Sequence, residues 1–456
     1  MDIVKPIKEI FKAYDIRGKF PDEINRDVAY TIGKAYGTKL LSIGKNKCIV
    51  GYDNRESSIE LSLSLSLGIL STGVDVINLG LVTTPMAIYS KEVLKIPSYV
   101  MVTASHNPKD DNGFKFSFDE SGNVKGDDID KFYDLVISRN FKEGMGKFSR
   151  YNVEKDYLEL FRRGINLGDK KLKVVIDLAN GTTSCIAREL FEQFDIDLTI
   201  INEESDPSFP NHHPDPCVAA NQKQLQDKVL ELHADLGIGF DGDGDRCGIV
   251  DNLGHIIPTD IYMAIMCKDI ILNNEDKRIL YDVKCSNALK DEIVKWGGIP
   301  ICYRTGASYT MAKVIDDNIL FGGEYSGHVF FNDRILVIGS GIYAGLRMVE
   351  VLSKTDKKLS DLVGEISKYY STEEIKIHSP NDIKDRVIED IKKYCINMRF
   401  NIDLTDGVKI IRPDSWALIR VSNTGPNITV RFEADTEDKL FLIKREFTNL
   451  VKYFNK

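Results

Sequence analysis

A chain of 456 residues is too long for one hydrophobic core, so two to four domains are expected. Its 43% hydrophobic and 28% charged residues are ordinary for a soluble globular enzyme, and a net charge of −9 argues against nucleic acid or an anionic membrane as partner. An anionic substrate must therefore be met by a local cluster of Arg and Lys. The cysteines are scattered without a Cys-x-x-Cys pair, which points to neither a zinc site nor a disulfide framework. No apolar run is long enough to span a bilayer and the N-terminus has no signal-peptide core, so a cytoplasmic location is expected.

In residues 1–149, Tyr14, Asp15 and Arg17 crowd a turn at Gly18, and Cys48 to Asp53 reads as a buried strand running into a charged loop at Arg55. Ser57 and Ser58 are candidate caps for a helix. In the stretch from Ile59 to Leu70 leucine alternates with serine, a period that argues strand. Its length, its cap and a stop at Gly73 predict helix instead. Strands follow over Val74 to Leu79 and Tyr99 to Val102. The second breaks into a loop, Thr103 to Lys115, marked by Pro108 and Asn112-Gly113. Residues 150–253 repeat the scheme with a strand over Lys173 to Asp177, a helix over Cys185 to Phe194, a strand over Leu198 to Ile201, a proline-rich loop over 207–216 and a strand over Leu236 to Asp241. Residues 254–365 repeat it again from Ile279. The remaining residues, 366–456, differ: a helix over Asp382 to Cys395, strands over Gly407 to Arg412, Trp416 to Val421 and Asn427 to Ala434, and a last helix over Glu437 to Phe454. The expectation is three related α/β mixed-sheet domains and a C-terminal α+β domain around a central cleft.

Four stretches carry chemistry, one per domain. Ser105 stands on a loop at a strand end. It could be a hydrolase nucleophile with His106 as base, a carrier of phosphate, or an ordinary loop serine. Adjacent residues of an extended chain point opposite ways, which disfavours the His106 pairing, and no Gly-x-Ser-x-Gly elbow is present. Asp241, Asp243 and Asp245 alternate with glycine, and in an extended chain they share one face. Such an array is costly without a cation, and oxygen ligands suit Mg²⁺ or Ca²⁺, with an exposed acidic turn as the plain alternative. An EF-hand is excluded because Arg246 and Asn252 stand where that loop needs Gly and Glu. Glu324, Ser326 and His328 lie on a glycine-punctuated loop suited to sugar hydroxyls, with a solvated turn as the plain alternative. Arg420, Ser422, Asn423 and Thr424 with Gly425 have anion-binding chemistry, with a hairpin turn as theirs.

Thr103-Ala-Ser-His-Asn-Pro, Asp241-Gly-Asp-Gly-Asp-Arg, Gly323-Glu-Tyr-Ser-Gly-His and Arg420-Val-Ser-Asn-Thr-Gly-Pro occur in that order over nearly the whole chain. On these motifs the chain resembles the α-D-phosphohexomutases. The resemblance implies a phosphomannomutase or phosphoglucomutase reaction, an isomerisation of hexose 1-phosphate and hexose 6-phosphate through a hexose 1,6-bisphosphate. Ser105 would be the phosphoserine and would complete a Mg²⁺ site with Asp241, Asp243 and Asp245. Glu324 and Ser326 would bind sugar hydroxyls, and Arg420, Ser422, Asn423 and Thr424 the phosphate that is not reacting. Tyr14, Arg17, Lys115, Arg246 and Lys284 match cleft positions of the family; Arg17, Lys115 and Arg246 would offset the phosphoserine charge. Lys115 and His328 are both candidates for acid/base work. Two departures stand out. Tyr309, in Thr305-Gly-Ala-Ser-Tyr, falls where relatives carry Val-Gly-His, and Ser340 falls where they carry Asp. Tyr325 favours the mannose/glucose form over the glucosamine form. A sugar-phosphate phosphatase, a phosphoglucosamine mutase and a catalytically silent sugar-phosphate binder are the competing expectations. The partner expected is the hexose phosphate itself, bound by a monomer or small homo-oligomer.

Overall fold

The structure is a computed structural model that describes residues 1–422 and 425–456. Four sheets follow one another along the chain. The first runs, edge to edge, through Ile16–Lys19, Asp111–Ser117, Tyr99–Val102, Lys47–Tyr52, Asp75–Leu81 and Phe148–Arg150. Its last four strands are parallel, and the first two turn back antiparallel. The second sheet has Lys173–Asp177 parallel to both Asp197–Ile201 and Leu236–Phe240, then antiparallel Cys247–Asp251 and Ile256–Ile257. In the third, Arg278–Asp282 lies parallel between Ile299–Tyr303 and Phe321–Gly323, and Val329–Phe331 closes the edge antiparallel. The mixed sheets follow from connection length: helical crossovers leave strands parallel, and short loops can only reverse them.

That rule places the chemistry. In all three sheets the stretch singled out above joins the last parallel strand to its antiparallel neighbour: Tyr99–Val102 to Asp111–Ser117, Leu236–Phe240 to Cys247–Asp251, and Phe321–Gly323 to Val329–Phe331. The fourth sheet is antiparallel, and its candidate loop joins Ser415–Val421 to Asn427–Ala434. Two helices, Lys384–Asn397 and Glu437–Phe454, cover that sheet around Val408, Ile419, Val430 and Phe447.

The leucine–serine stretch is helical over Ser58–Leu70, with Leu61, Leu65 and Ile69 buried and Ile59, Leu63 and Leu67 exposed. Ser57 occupies the N-cap position without capping; its hydroxyl instead accepts from Asn112 Nδ2 at 2.8 Å. The helix expected over Cys185 to Phe194 is shorter. A 3-10 turn, Thr182–Cys185, precedes an α-helix of only Ala187–Phe191, because Ile186 sits at φ −149, outside helical range. The helix Gly341–Ser353 explains one departure: Ser340 caps it, its hydroxyl accepting from Tyr343 N at 3.2 Å and from Tyr157 Oη at 3.1 Å. A hydroxyl thus does there the N-terminal work a carboxylate could also do.

The first three sheets share one continuous core reaching from Ile49 and Tyr99 through Val174 and Ile238 to Ile279 and Val349. The fourth has its own core and meets the third chiefly through Trp416 and Leu418 against Val283. Residues from all four units line a cleft of about 710 Å³. No helix among the described residues is long and apolar enough to cross a membrane.

Candidate functional site

The loop after Tyr99–Val102 is held in a shape that extended-chain reasoning does not anticipate. Ser105 has φ +53, a left-handed backbone, and is 1% exposed. Its Oγ donates to Asp241 Oδ2 at 2.8 Å and also lies 3.2 Å from His106 Nδ1. The neighbour pairing thus exists, because the left-handed residue turns the two side chains together. Burial, then the positive charges of Arg246 and Arg17, hold the His106 pKa well below the usual imidazole range, so its ring is neutral.

Arg55 is the residue that shapes this loop, and no motif marks it. Its Nη1 donates to the carbonyls of Pro108 (2.6 Å) and Asp111 (2.9 Å), and its Nη2 to those of Ser105 and Asn107, both at 2.7 Å. Asp53 lies 3.3 Å from its Nε, and neither side chain is exposed. The only trace in the sequence is the charged Asp-Asn-Arg that ends a buried strand. Arg55→Met removes the guanidinium from four carbonyls, of which Pro108 O keeps the Asp111 amide at 3.0 Å, and leaves Asp53 without this counter-charge. The expected cost is about 3–5 kcal/mol, measured as the shift in denaturant unfolding. A loss below about 1 kcal/mol would mean that Arg55 does not hold the loop.

Asp241, Asp243 and Asp245 converge, with one ligand atom from each lying within 4.8 Å of the others. They do so on a tight turn and not on one face of a strand. Gly244 has φ +79, and Asp241 Oδ1 accepts from the amides of Gly244 (3.0 Å) and Arg246 (3.1 Å). A side chain at Gly242 would meet Ser105 O, since a Cβ there would lie 2.5 Å away. The serine and aspartate loops therefore touch backbone to backbone.

Electrostatics shows what the triad lacks. Burial, then Asp245 and Asp243, push the Asp241 carboxyl well above its usual range. Burial pushes Asp243 and Asp245 the same way, but Lys115 reverses the balance and both carboxyls are lowered. Lys115 Nζ lies 2.7 Å from Asp243 Oδ2 and 2.6 Å from Asp245 Oδ2. Burial alone would depress this ammonium; the two aspartates outweigh it and raise its pKa. Asp243 Oδ2 also accepts from Thr84 Oγ1 at 2.6 Å. The other oxygens, Asp243 Oδ1 and Asp245 Oδ1, are buried and have no hydrogen-bond partner among the described residues. Orphaned carboxylate oxygens in an all-oxygen set, clustered around one lysine ammonium, fit a divalent metal site.

Arg17 spans the floor of the cleft: Nε donates to Asp15 Oδ2 at 2.7 Å, and Nη1 to Ala104 O and Asn107 Oδ1, each at 3.0 Å. Part of its role is thus to hold the serine loop. His328 Nε2 lies 3.2 Å from Arg246 Nε and 3.3 Å from Asp245 Oδ1, and its Nδ1 faces Ser326 Oγ (3.1 Å) and Glu324 Oε2 (3.3 Å). Burial would raise the Glu324 carboxyl, but the His328 hydrogen bond and charge, then Lys284, bring it down to about 2. Lys284 lies 3.3 Å from Glu374 and 3.7 Å from Asp282. Tyr14 also lines the cleft, edge-on to Tyr309 with ring centres 6.4 Å apart. Tyr309 itself lies under the Arg304 guanidinium at 4.0 Å and is not among the described residues that line the cleft. Arg420 and Ser422 complete the lining; Asn423 and Thr424 lie outside the described residues.

The cleft therefore brings together a serine, a carboxylate triad, a loop bearing Glu324, Ser326 and His328, and an arginine from four successive sheets. Family models for phosphoglucomutase/phosphomannomutase match all four units: α/β/α domain I over residues 8–143, domain II over 155–254, domain III over 258–370 and the C-terminal domain over 374–450. The phosphomannomutase/phosphoglucomutase of Pseudomonas aeruginosa is 38% identical over 443 residues, 97% of this chain and 95% of that one. The phosphoglucomutase of Neisseria gonorrhoeae is 33% identical over 98% of this chain and 97% of its own. A crystal structure of a phosphoglucomutase/phosphomannomutase family protein from Burkholderia thailandensis superposes with a TM-score of 0.91 at 33% identity, covering 98% of each chain. Matched in every unit and over nearly its whole length, this chain belongs to the phosphoglucomutase/phosphomannomutase family.

Proposed function

We propose that the protein is a phosphohexomutase that interconverts the 1- and 6-phosphates of glucose and mannose through a phosphoserine at Ser105. The observation that carries this is the 2.8 Å hydrogen bond from Ser105 Oγ to Asp241 Oδ2, which joins a strand-end serine to a buried carboxylate triad in one cleft. Phosphoryl transfer is mainly positioning and charge stabilisation, and those are the parts assembled here.

In the forward direction the Ser105 Oγ–P bond breaks and an O–P bond forms to the free hydroxyl of the bound hexose phosphate. Ser105 Oγ takes up a proton as the phosphoryl departs, and the hydroxyl proton goes to His328, or to Lys115 where its ammonium has supplied the proton taken by Oγ. The hexose 1,6-bisphosphate turns over in the cleft, its other phosphoryl returns to Ser105 Oγ, and a proton goes back to the sugar oxygen. Glu324, Ser326 and His328 bind the ring hydroxyls in either orientation. Arg420, Ser422, Asn423 and Thr424 grip the phosphate that is not reacting, with Lys284 and Tyr14 beside it. Asp241, Asp243, Asp245 and an oxygen of the phosphorylated Ser105 would hold Mg²⁺, which supplies positive charge against the phosphoryl oxygens. Arg17 and Arg246 add to that charge. Tyr325 lines the cleft with its ring 3.6 Å from the Arg431 guanidinium, and it supports hexoses without an amino group because the glucosamine form of the family is expected to carry Gln there.

The test pairs peptide mass spectrometry with coupled assays. The peptide carrying Ser105 should gain one phosphate after incubation with hexose 1,6-bisphosphate. Glucose 6-phosphate should form from glucose 1-phosphate, and mannose 6-phosphate from mannose 1-phosphate. Inorganic phosphate released at the rate of isomerisation would instead identify a phosphatase.

A further inference from the structure

Asp406 was marked by no motif, and it stands where two units meet. It lies in the turn between Ile402–Asp403 and Val408–Ile411, in the C-terminal sheet. One of its oxygens, Oδ2, accepts from Arg420 Nε at 3.0 Å and from Thr305 N, in the third unit, also at 3.0 Å. Thr305 is itself fixed, its Oγ1 donating to Asp282 Oδ2 at 3.0 Å. The next amide, Gly306 N, donates to the Glu324 carboxylate, which also accepts from Thr310 Oγ1 at 3.0 Å. A single carboxylate oxygen thus links the arginine of the phosphate clamp to the loop after Ile299–Tyr303, whose next amide holds Glu324.

The guanidinium bears the mark of that arrangement. Arg420 is 5% exposed and lines the cleft, yet its Nη2 is buried with no hydrogen-bond partner among the described residues. A buried donor left unpaired costs about 1–3 kcal/mol unless a ligand completes it. A guanidinium held at Nε cannot rotate about its plane, so its Nη edge keeps one direction, and planar recognition of phosphate depends on that direction. An arginine on a separately cored domain needs such a tether more than one built into the shared core.

We propose that Asp406 is a positioning residue for substrate phosphate: it fixes the rotation of Arg420, keeps its Nη groups in one direction, and sets the clamp in register with the Glu324 loop. The proposal rests on the hexose-phosphate function only for the identity of the anion. In the opposite arrangement Asp406 would compete with phosphate for the guanidinium, and its removal would tighten binding.

Calorimetric titration of glucose 6-phosphate and of inorganic phosphate into the wild-type, Asp406→Ala, Asp406→Asn, Arg420→Ala and doubly substituted proteins decides between these. Asp406→Ala is expected to weaken both ligands about tenfold, and to raise KM by a similar factor with kcat changed less than about threefold. Asp406→Asn, which keeps one acceptor, should recover part of that loss and gives the same answer if the alanine variant does not fold. Because Asp406 acts through Arg420, adding Asp406→Ala to Arg420→Ala should cost less than about a further twofold. Unchanged or tighter binding in Asp406→Ala, or independent losses in the double variant, would overturn the proposal. Wild-type protein that binds inorganic phosphate but no hexose phosphate would sink the functional reading instead, and the inorganic phosphate series would still judge Asp406.

Discussion

Ser105→Ala is expected to lower turnover of glucose 1-phosphate by about 10,000-fold or more, about 5.4 kcal/mol in activation free energy. The fold should survive. Arg55 grips the loop by its carbonyls, and Thr103 Oγ1 accepts from Ser105 N at 2.8 Å, contacts that alanine leaves in place. What disappears is the Oγ that donates to Asp241. Losing one buried hydrogen bond costs about 1–3 kcal/mol of stability, well short of unfolding a domain of this size. Alanine at φ +53 is strained much as serine is, so backbone strain is nearly unchanged. Activity and stability thus separate, and that separation makes the variant informative. A carrier serine has no substitute; a serine that only orients water could be bypassed. Full isomerisation by Ser105→Ala would therefore end the phosphoserine mechanism. Retained phosphate release with lost isomerisation would move the protein to the hydrolase alternative.

The way the site is written into the sequence explains which parts of it could be read. Residue types with narrow chemistry were legible: three aspartates spaced by glycine, a serine after a buried strand, an arginine before Ser-Asn-Thr-Gly. So were the long periodic elements, such as the last helix, which spans Glu437–Phe454 as expected. Local backbone conformation was not. Ser105 and His106 were expected on opposite sides of an extended chain, but the positive φ of Ser105 brings them to 3.2 Å. The aspartates were expected to share a strand face, but a turn through Gly244 gathers them. In both cases the conformation is imposed by contacts remote in sequence: by Arg55 on the serine loop, and by the close approach of Gly242 to Ser105 O. Residues that work by holding others escaped for the same reason. Arg55, Asp15 and Asp406 have no motif because each binds a partner that only the fold supplies. Where a strand reverses, however, is a matter of connection length: each of these short connections turns the chain back at the rim of the cleft, and the chemistry sits on them.

Asp243→Asn separates a metal site from an acidic turn, and the two predict opposite balances of activity and stability. Asparagine keeps an oxygen for Thr84 Oγ1 and Thr103 Oγ1, which reach Asp243 Oδ2 at 2.6 and 3.2 Å. It removes one of three buried like charges, so the repulsion that raises Asp241 falls. Lys115 loses one of its two carboxylate partners and keeps Asp245 at 2.6 Å. Without metal, then, the variant should be about as stable as the wild type or slightly more so, read from its unfolding midpoint. The carboxylate it lacks is one of the groups that can bind a hard cation there, and Asp243 Oδ1 has no hydrogen-bond partner among the described residues. Turnover should fall about 100- to 1,000-fold at limiting Mg²⁺, the loss typical of removing one group from a site that stabilises transition-state charge. Binding of Mn²⁺, followed by electron paramagnetic resonance, should weaken in parallel and supplies a readout independent of catalysis. Higher Mg²⁺ should restore part of the loss, since a weakened site can still be filled by mass action. If Mn²⁺ binds both proteins equally and turnover is unchanged, the aspartates serve only as the counter-charge of Lys115, and the metal must be sought elsewhere. If turnover falls while Mn²⁺ affinity holds, Asp243 acts on Lys115 rather than on a metal, and Lys115 becomes the stronger of the two candidates for carrying the sugar proton.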